Sequence, residues 1–402
     1  MPTSIAPGPA SSGPEDSPVV AYLDQILAQA VRMGASDLHF EPLEHSYRIR
    51  LRIDGELREM PAPAQALKDK LASRIKVLSH LDIAEKRLPQ DGRMKLPMPE
   101  GAALDLRVST LPTLLGEKLV IRILSPDASG LRIDQLGYEE EEQSRLLNAI
   151  RQPHGMVLVT GPTGSGKTQS LYACLKVLNA PEVNIATVED PCEIHLPGVN
   201  QVHVHEKAGL TFAVALRAFL RQDPDVLMVG EVRDLETADI AIKASQTGHL
   251  VLSTLHTNDA PSALTRLRNM GIAPYNLVSS VALITAQRLV RRLCPHCKQA
   301  TTFAPQRLRD AGLPERFLQG QISTFQPVGC AQCHKGFTGR TGIFQVMPLS
   351  EMMAELILQE ASTSAIAQQA QREGVLTLRQ SGLRKVIQGI TSLEEVLGAT
   401  NS

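Results

Sequence analysis

Two groups of residues in this chain have the types and spacing to do chemistry. The first is Gly161-Pro162-Thr163-Gly164-Ser165-Gly166-Lys167-Thr168, which fits G-x-x-x-x-G-K-[ST]. Its glycines let backbone N–H groups turn inward around phosphates, Lys167 reaches toward the β and γ phosphates, and the Thr168 hydroxyl is the expected Mg²⁺ ligand. The motif carries weight only between a strand and a helix. Here the apolar run Val157–Thr160 precedes it and the helical stretch Gln169–Leu178 follows, which predicts a nucleoside triphosphate site.

The second group is Cys294-x-x-Cys297 with Cys330-x-x-Cys333. Four thiolates complete a closed tetrahedral shell for Zn²⁺, so these cysteines are expected to hold a small lobe together and to do no chemistry. The stretch between the pairs is longer than in common zinc ribbons. His296 and His334 adjoin the cysteines and are expected to point away, while Cys174 and Cys192 read as small buried hydrophobes.

Hydrolysis needs a water placed in line and a metal held opposite the loop, so carboxylates that end neighbouring apolar runs are the next candidates. Glu231 closes VLMVGE, where many P-loop enzymes carry an Asp for Mg²⁺ followed by a Glu for the water. The Asp position is Gly230, and Glu231 is the expected water activator. Glu189 and Asp190 close NIATVED; Glu189 is the expected second carboxylate, the alternative being a helix cap or loop tether. His256 follows STL, where a neutral imidazole can hydrogen-bond a γ-phosphate oxygen.

These residues need a frame that brings them together. The runs MVLVT, NIATVED, DVLMVGE and HLVLSTLHT are continuously apolar and separated by helical segments, the pattern of strands buried on both faces of a parallel sheet. Ligands of such sheets sit beyond the carboxyl ends of the strands, where these runs place their polar residues. Upstream, Val20, Leu23, Leu27, Ala30 and Val31 predict a helix, and a strand is expected over Ser36–Phe40. Tyr47–Ile53 alternates apolar residues with Arg48, Arg50 and Arg52 before an Asp54-Gly55 turn, so its arginine face is expected to be solvated or to meet an interface. Leu67, Leu71, Ile75 and Leu78 mark another helix, and Leu104–Leu124 reads as strands.

The resulting organisation is a flexible tail over 1–18, a smaller α+β domain over 19–124, a linker over 125–137 and an α/β nucleotide domain over 138–402. Beyond about Ala260 the last domain is expected to be mainly helical, with the four-cysteine lobe inserted at about 292–344.

Composition removes several other classes. With 402 residues, 43% of them hydrophobic, the chain can bury more than one core. Lys and Arg total 41 against 42 Asp and Glu, so no global charge draws it to nucleic acid or acidic lipid. It has no Trp and 3% aromatic residues, which leaves little for stacking on single strands. Six cysteines, four of them paired as C-x-x-C, point to a reducing compartment, and we expect a cytoplasmic location. The N-terminus lacks the basic start and apolar run of a secretory signal. The most apolar stretch, Leu277–Val290, is interrupted by Ser279, Ser280, Thr285, Gln287 and Arg288 and is too short to span a bilayer.

Taken in order, GASDLHFEP, RIRLRIDGELRE, PQDGR, DLRVSTLPTLLGEK, the phosphate loop, TVEDPCE, LRAFLRQDPDVLMVGEVRDLETADIA, TGHLVLSTLHTNDA, the cysteine pairs and GITSLEEVL resemble the type II secretion and type IV pilus assembly ATPases. The resemblance implies a RecA-like P-loop domain with a preceding smaller domain, ATP as nucleotide, and a ring-forming homohexamer that works on an inner-membrane platform. It assigns Glu189, Glu231 and His256 to the family's acidic, Walker B and histidine boxes. It also implies that Arg93 and Arg107 neutralise phosphate charge, and that Arg217 and Arg221 organise the site or the protomer contact. An Arg on the developing γ-phosphate charge is worth about 10³- to 10⁵-fold in rate. Larger members carry a further N-terminal domain for docking, so with only residues 1–18 ahead of the first recognisable domain, docking here is expected to use another surface. The four-cysteine lobe favours assembly or secretion over the pilus-retraction branch. A nucleic-acid translocase and a nonhydrolysing scaffold are the rival readings.

Overall fold

The computed structural model describes residues 17–98, 101–124, 132–301, 305–319 and 322–401. The expected tail lies almost wholly outside the described residues, as does the first half of the expected linker. The chain divides into two compact units, Met1–Asp127 and Ala128–Ser402.

The first unit is a six-stranded antiparallel sheet with two helices. Its elements are α1 (Ser17–Arg32), β1 (Asp37–Pro42), β2 (Tyr47–Ile53), β3 (Glu56–Met60), α2 (Lys68–Leu78), β4 (Gln90–Met98), β5 (Gly101–Thr113) and β6 (Gly116–Ile123). The sheet order is β3-β2-β1-β6-β5-β4. Alternation along β2 sends Tyr47, Ile49, Leu51 and Ile53 into the core with Leu38, Phe40, Leu119 and Ile121, and Leu71 and Ile75 of α2 join them. The opposite face is ionic. Glu41 pairs with Arg48, Arg50 and Lys118, and Asp37 with Arg122 and Arg52. The arginine face of β2 is thus neutralised within the sheet.

The second unit opens with α3 (Ile133–Leu136), inside the expected linker, and α4 (Glu140–Ile150). A seven-stranded sheet follows, built from β7 (Gly155–Thr160), β8 (Ile185–Glu189), β9 (Asn200–His203), β10 (Val226–Val229), β11 (Leu250–Leu255), β12 (Val281–Leu293) and, after the short strands β13 (Gln299–Thr301) and β14 (Thr324–Gln326), β15 (Phe337–Pro348). Its order is β15-β12-β7-β11-β10-β8-β9. Only the β12–β15 pair is antiparallel. The helices α5 (Lys167–Leu178), α6 (Phe212–Phe219), α7 (Leu235–Gln246), α8 (Ala260–Asn269) and α9 (Pro274–Ser280) connect these strands, α10 (Pro305–Asp310) lies between β13 and β14, and α11 (Glu351–Leu358), α12 (Thr363–Arg372), α13 (Leu378–Ile387) and α14 (Leu393–Thr400) close the chain. Two cores, one on each face, pack around β7, β8, β10 and β11, whose residues are almost all buried.

Beyond Ala260 the described residues are more helical than extended, as expected, but the segment also carries β12 and β15, the longest strands of this sheet, which the sequence pattern did not show. A short apolar run fits a buried strand as well as a buried helix, and the residues that interrupt it, Thr285, Gln287 and Arg288, are buried polar groups at the centre of β12.

Candidate nucleotide site and metal centre

Strand β7 ends at Thr160, the loop occupies Gly161–Gly166, and α5 begins at Lys167. Gly166 caps the helix at φ 87°, a left-handed value that a side chain rarely adopts. Lys167 Nζ donates to the carbonyls of Gly161 at 2.9 Å and Pro162 at 3.1 Å, which keeps the ammonium over the loop. Burial lowers its pKa, Arg288 lowers it further and Glu231 opposes them. Ser165 Oγ is buried inside the loop with no hydrogen-bond partner among the described residues. A glycine-rich loop, an ammonium and a helix N-terminus in one place form a cradle for phosphate. The Thr168 side chain lies at the start of α5, in that cradle's first turn.

The neighbouring strand ends carry the acidic groups. Glu231 follows β10, and its carboxylate accepts from Arg233 and lies 3.4 Å from His256 Nε2, just past the end of β11. Burial pushes the Glu231 carboxyl up, but the adjacent Arg233 and His256 outweigh it and hold it below its ordinary value. Arg233 also approaches Asp190 at 3.6 Å, so it bridges the ends of β8 and β10. The β11 end is tied to the phosphate loop: the Thr257 N–H donates to Thr160 Oγ1 at 2.9 Å, and Thr160 Oγ1 donates to the Leu255 carbonyl at 3.1 Å. Gly230 explains the missing aspartate. A Cβ there would lie 3.3 Å from both the Glu189 Cα and the Val188 carbonyl, a tight contact against the paired strand β8 that makes a larger residue costly.

Glu189 is placed differently. It is 3% exposed, and its carboxylate accepts from the Tyr172 hydroxyl, from Thr187 Oγ1 at 2.6 Å and from Gln201 Nε2 at 3.3 Å. Glu231 and His256 therefore lie side by side at adjacent strand ends, with Lys167 within electrostatic reach of Glu231, while Glu189 is held in a separate buried network. Arg217 of α6 pairs with Glu236 at 2.5 Å, and Arg221 donates to the Arg217 carbonyl at 2.8 Å, both on the surface of α6 and its end. Arg93 and Arg107, in the first unit, are direct cross-strand partners on β4 and β5, and Arg107 is in turn opposite Arg122 on β6. The sequence reading missed Arg233, Tyr172 and Arg288. Only Arg233 left a signal, two residues beyond Glu231.

The four cysteines converge. Sulfur separations are 3.9 Å for Cys294–Cys330, 3.6 Å for Cys297–Cys333 and 3.6 Å for Cys330–Cys333, and all four Sγ atoms lie within 4.8 Å of one another. Tetrahedral Zn²⁺ with bonds of about 2.3 Å sets sulfurs about 3.8 Å apart, so the donor set fits zinc. Backbone N–H groups of Gly329 and Cys330 donate to Cys297 and Cys333 at 3.3 and 3.2 Å, which suits thiolates. Neither His296 nor His334 belongs to the cluster.

A parallel sheet with a phosphate loop at the carboxyl end of one central strand and carboxylate and imidazole at the ends of its neighbours defines a RecA-like P-loop nucleotide-binding protein. The chain belongs to the type II/IV secretion system protein family, whose model matches residues 13–398. It is 54% identical over 388 residues to the type IV pilus assembly ATPase PilB of Acinetobacter baylyi, a match covering 96% of this chain and 67% of that protein. It is 48% identical over 389 residues to the type II secretion system ATPase E of Vibrio cholerae, covering 96% and 76%. In fold it is similar to the pilus retraction motor PilT with bound ADP (TM-score 0.63, 24% identity, 94% of this chain and 97% of that one). The same holds for the ATPase DotB of Legionella pneumophila (TM-score 0.70, 19% identity, 97% and 96%). The chain is accordingly a P-loop ATPase of this family. No helix among the described residues is long and apolar enough to cross a membrane.

Proposed function

We propose that this chain hydrolyses ATP at the β–γ bond in a Mg²⁺-dependent reaction and uses the energy to drive assembly of a type IV pilus or a type II secretion pseudopilus. It acts as a homohexamer in the cytoplasm, peripheral to the inner membrane, on platform proteins of the export system. The observation that carries this reading is the juxtaposition of Lys167 with Glu231 and His256 at adjacent strand ends. The relatives' names, PilB and the type II secretion ATPase E, supply the direction of the work.

In this mechanism, the loop of residues 161–168, through the backbone N–H groups that follow Pro162, and the Lys167 ammonium hold the phosphates. Thr168 would hold the Mg²⁺, which neutralises phosphate charge when bound. Glu231 orients the attacking water and takes its proton, with Arg233 keeping the carboxylate ionised. His256 contacts the γ-phosphate and reports its loss to the loop through the Thr257–Thr160 bonds. Glu189 is the second carboxylate, set in place by Tyr172 and Thr187. Arg93 and Arg107 neutralise developing charge, and Arg217 and Arg221 organise the site or the protomer contact. The cysteine cluster binds Zn²⁺ and is structural.

The test is ATP hydrolysis per chain against protein concentration, with Mg²⁺, for wild type, Lys167→Ala, Glu231→Gln and Arg107→Ala, with and without DNA. Specific activity is expected to rise as chains assemble, to fall at least a hundredfold (~10²) in Lys167→Ala and Glu231→Gln, to fall also in Arg107→Ala, and to ignore DNA. Undiminished hydrolysis by Lys167→Ala would end this reading, and stimulation by DNA would replace it with a translocase.

A further inference from the structure

The phosphate loop rests on the middle of β12, and one side chain there has both ends of its amide committed. Gln287 is 2% exposed. Its Nε2 donates to the Ser165 carbonyl at 2.7 Å, and its Oε1 accepts from Ser170 Oγ at 2.8 Å. Its own carbonyl lies against Gly161, where an added Cβ would approach to 2.5 Å, and its amide nitrogen would be 3.2 Å from a Cβ on Gly166.

This contact sets the direction of a phosphate donor. Among the described residues the cis peptide is Asp190-Pro191, so the Ser165–Gly166 peptide is trans, and its carbonyl and the Gly166 N–H point in opposite directions. Tethering the carbonyl to β12 turns the N–H away from the sheet. Glycine at position 166 imposes little steric barrier to rotation of that peptide, so the tether must come from elsewhere. Ser170, in the first turn of α5, hydrogen-bonds the carboxamide oxygen and leaves the NH₂ end facing Ser165.

We propose that Gln287 is a positioning residue for the nucleotide: it aims the Gly166 N–H at the phosphates without touching them. The inference rests on the ATP site proposed above and adds to it the residue that shapes the loop from below. Gln287→Glu keeps the volume and still accepts from Ser170, but presents Ser165 with a second acceptor. Gln287→Met removes both bonds and adds no charge.

The experiment measures the Kd of ADP, and KM and kcat for ATP, on the full chain. Both variants are expected to raise Kd and KM about tenfold to a hundredfold, the scale of one charge-assisted hydrogen bond, with kcat within about threefold. That split is the signature of a donor used equally in ground and transition states, whereas a fold defect lowers kcat and leaves Kd alone. Wild-type ADP affinity in Gln287→Glu, or a fall in kcat at constant Kd, overturns the proposal. If Gln287→Met does not fold, Ser170→Ala takes its place: it frees the carboxamide to turn and is expected to raise Kd severalfold (~3-fold), and an unchanged Kd there counts against the proposal. A wild-type chain that binds no ADP overturns the ATP site and this inference together, while tight wild-type binding that the variants leave intact overturns this inference alone.

Discussion

Glu142 should make the second unit less stable as the pH rises. It is 7% exposed, near the start of α4, and accepts from the Glu139 N–H at 3.0 Å and from Ser381 Oγ at 3.3 Å. Burial is the main cause that pushes its carboxyl up from 4.5 to about 7; Glu139 adds to this, while the Glu139 N–H bond and Lys385 oppose it. The folded state therefore binds this proton more tightly than the unfolded chain, and stability falls as pH rises through the window from 4.5 to about 7. At about 1.4 kcal/mol for each pH decade in that window, ionised Glu142 costs about 3 kcal/mol above pH 7 and nothing below pH 4.5. Glu142→Gln keeps an oxygen for the Glu139 N–H and cannot ionise. Urea unfolding of wild type and variant at pH 5, 6, 7 and 8 is the assay, because other titrating groups cancel in the difference. The variant should exceed wild type by under about 1 kcal/mol at pH 5 and by about 3 kcal/mol at pH 8. A difference that stays flat from pH 5 to 8 would refute the reasoning.

Three further outcomes follow from other sites. The purified chain should carry one zinc at Cys294, Cys297, Cys330 and Cys333; Cys297→Ser or Cys333→Ser should lose it by metal analysis and expose thiols to a colorimetric reagent. Leu308 and Leu313 should remain docked on α13 and α14, so the loss should not unfold the sheet. Removing Arg233 takes away the cation that holds Glu231 low, so in Arg233→Gln the acid limb of the kcat/KM profile should move to higher pH; an unmoved limb would mean that Glu231 is not the titrating base. In the first unit, Lys76 and Glu117 form an ion pair at 2.6 Å with side chains 1% and 6% exposed. Lys76→Met should cost about 3–5 kcal/mol in urea unfolding by stranding a buried charge, and Lys76→Met with Glu117→Leu should recover most of it.

What the sequence disclosed depended on how local the determinants are. The phosphate loop was legible because one contiguous motif must lie between strand and helix, and the parallel strands because burial on both faces writes itself as unbroken apolar runs. The cysteine quartet was legible from spacing alone. β12 was not, because its polar residues satisfy one another only through partners far away in sequence: Gln287 bonds Ser165 and Ser170, and Arg288 donates to the Asn258 carbonyl and Oδ1. The setting of Glu189 was hidden for the same reason, since Tyr172 comes from α5 and Gln201 from β9. Carboxylates at neighbouring strand ends look equivalent in a sequence. In the fold, one lies beside His256 at the crevice and the other is enclosed.

β12 also gives a physical reason for placing the cysteine lobe where it is. The strand lies beside β7 through Ala286↔Thr160 and then runs on to Leu293, where the cysteine pairs begin. Its far end is fixed by the Leu293 N–H to the Ile390 carbonyl at 2.8 Å, by Thr391 Oγ1 to the Arg291 carbonyl at 2.7 Å, and by the Arg291–Glu395 ion pair. A strand that must hold Gln287 against the phosphate loop within hydrogen-bond tolerance gains from being clamped at both ends, because a shift of about 0.5 Å lengthens a 2.7 Å bond to near the limit of useful geometry. Zinc held by the four cysteines, as proposed above, would add a clamp just past Leu293 without needing a large core, which small loop-rich segments cannot build by themselves. On this argument the lobe acts on catalysis through strand rigidity, and loss of zinc should raise the KM for ATP before it lowers kcat, the same split expected of Gln287→Glu. A loss of kcat alone would assign the lobe a different role.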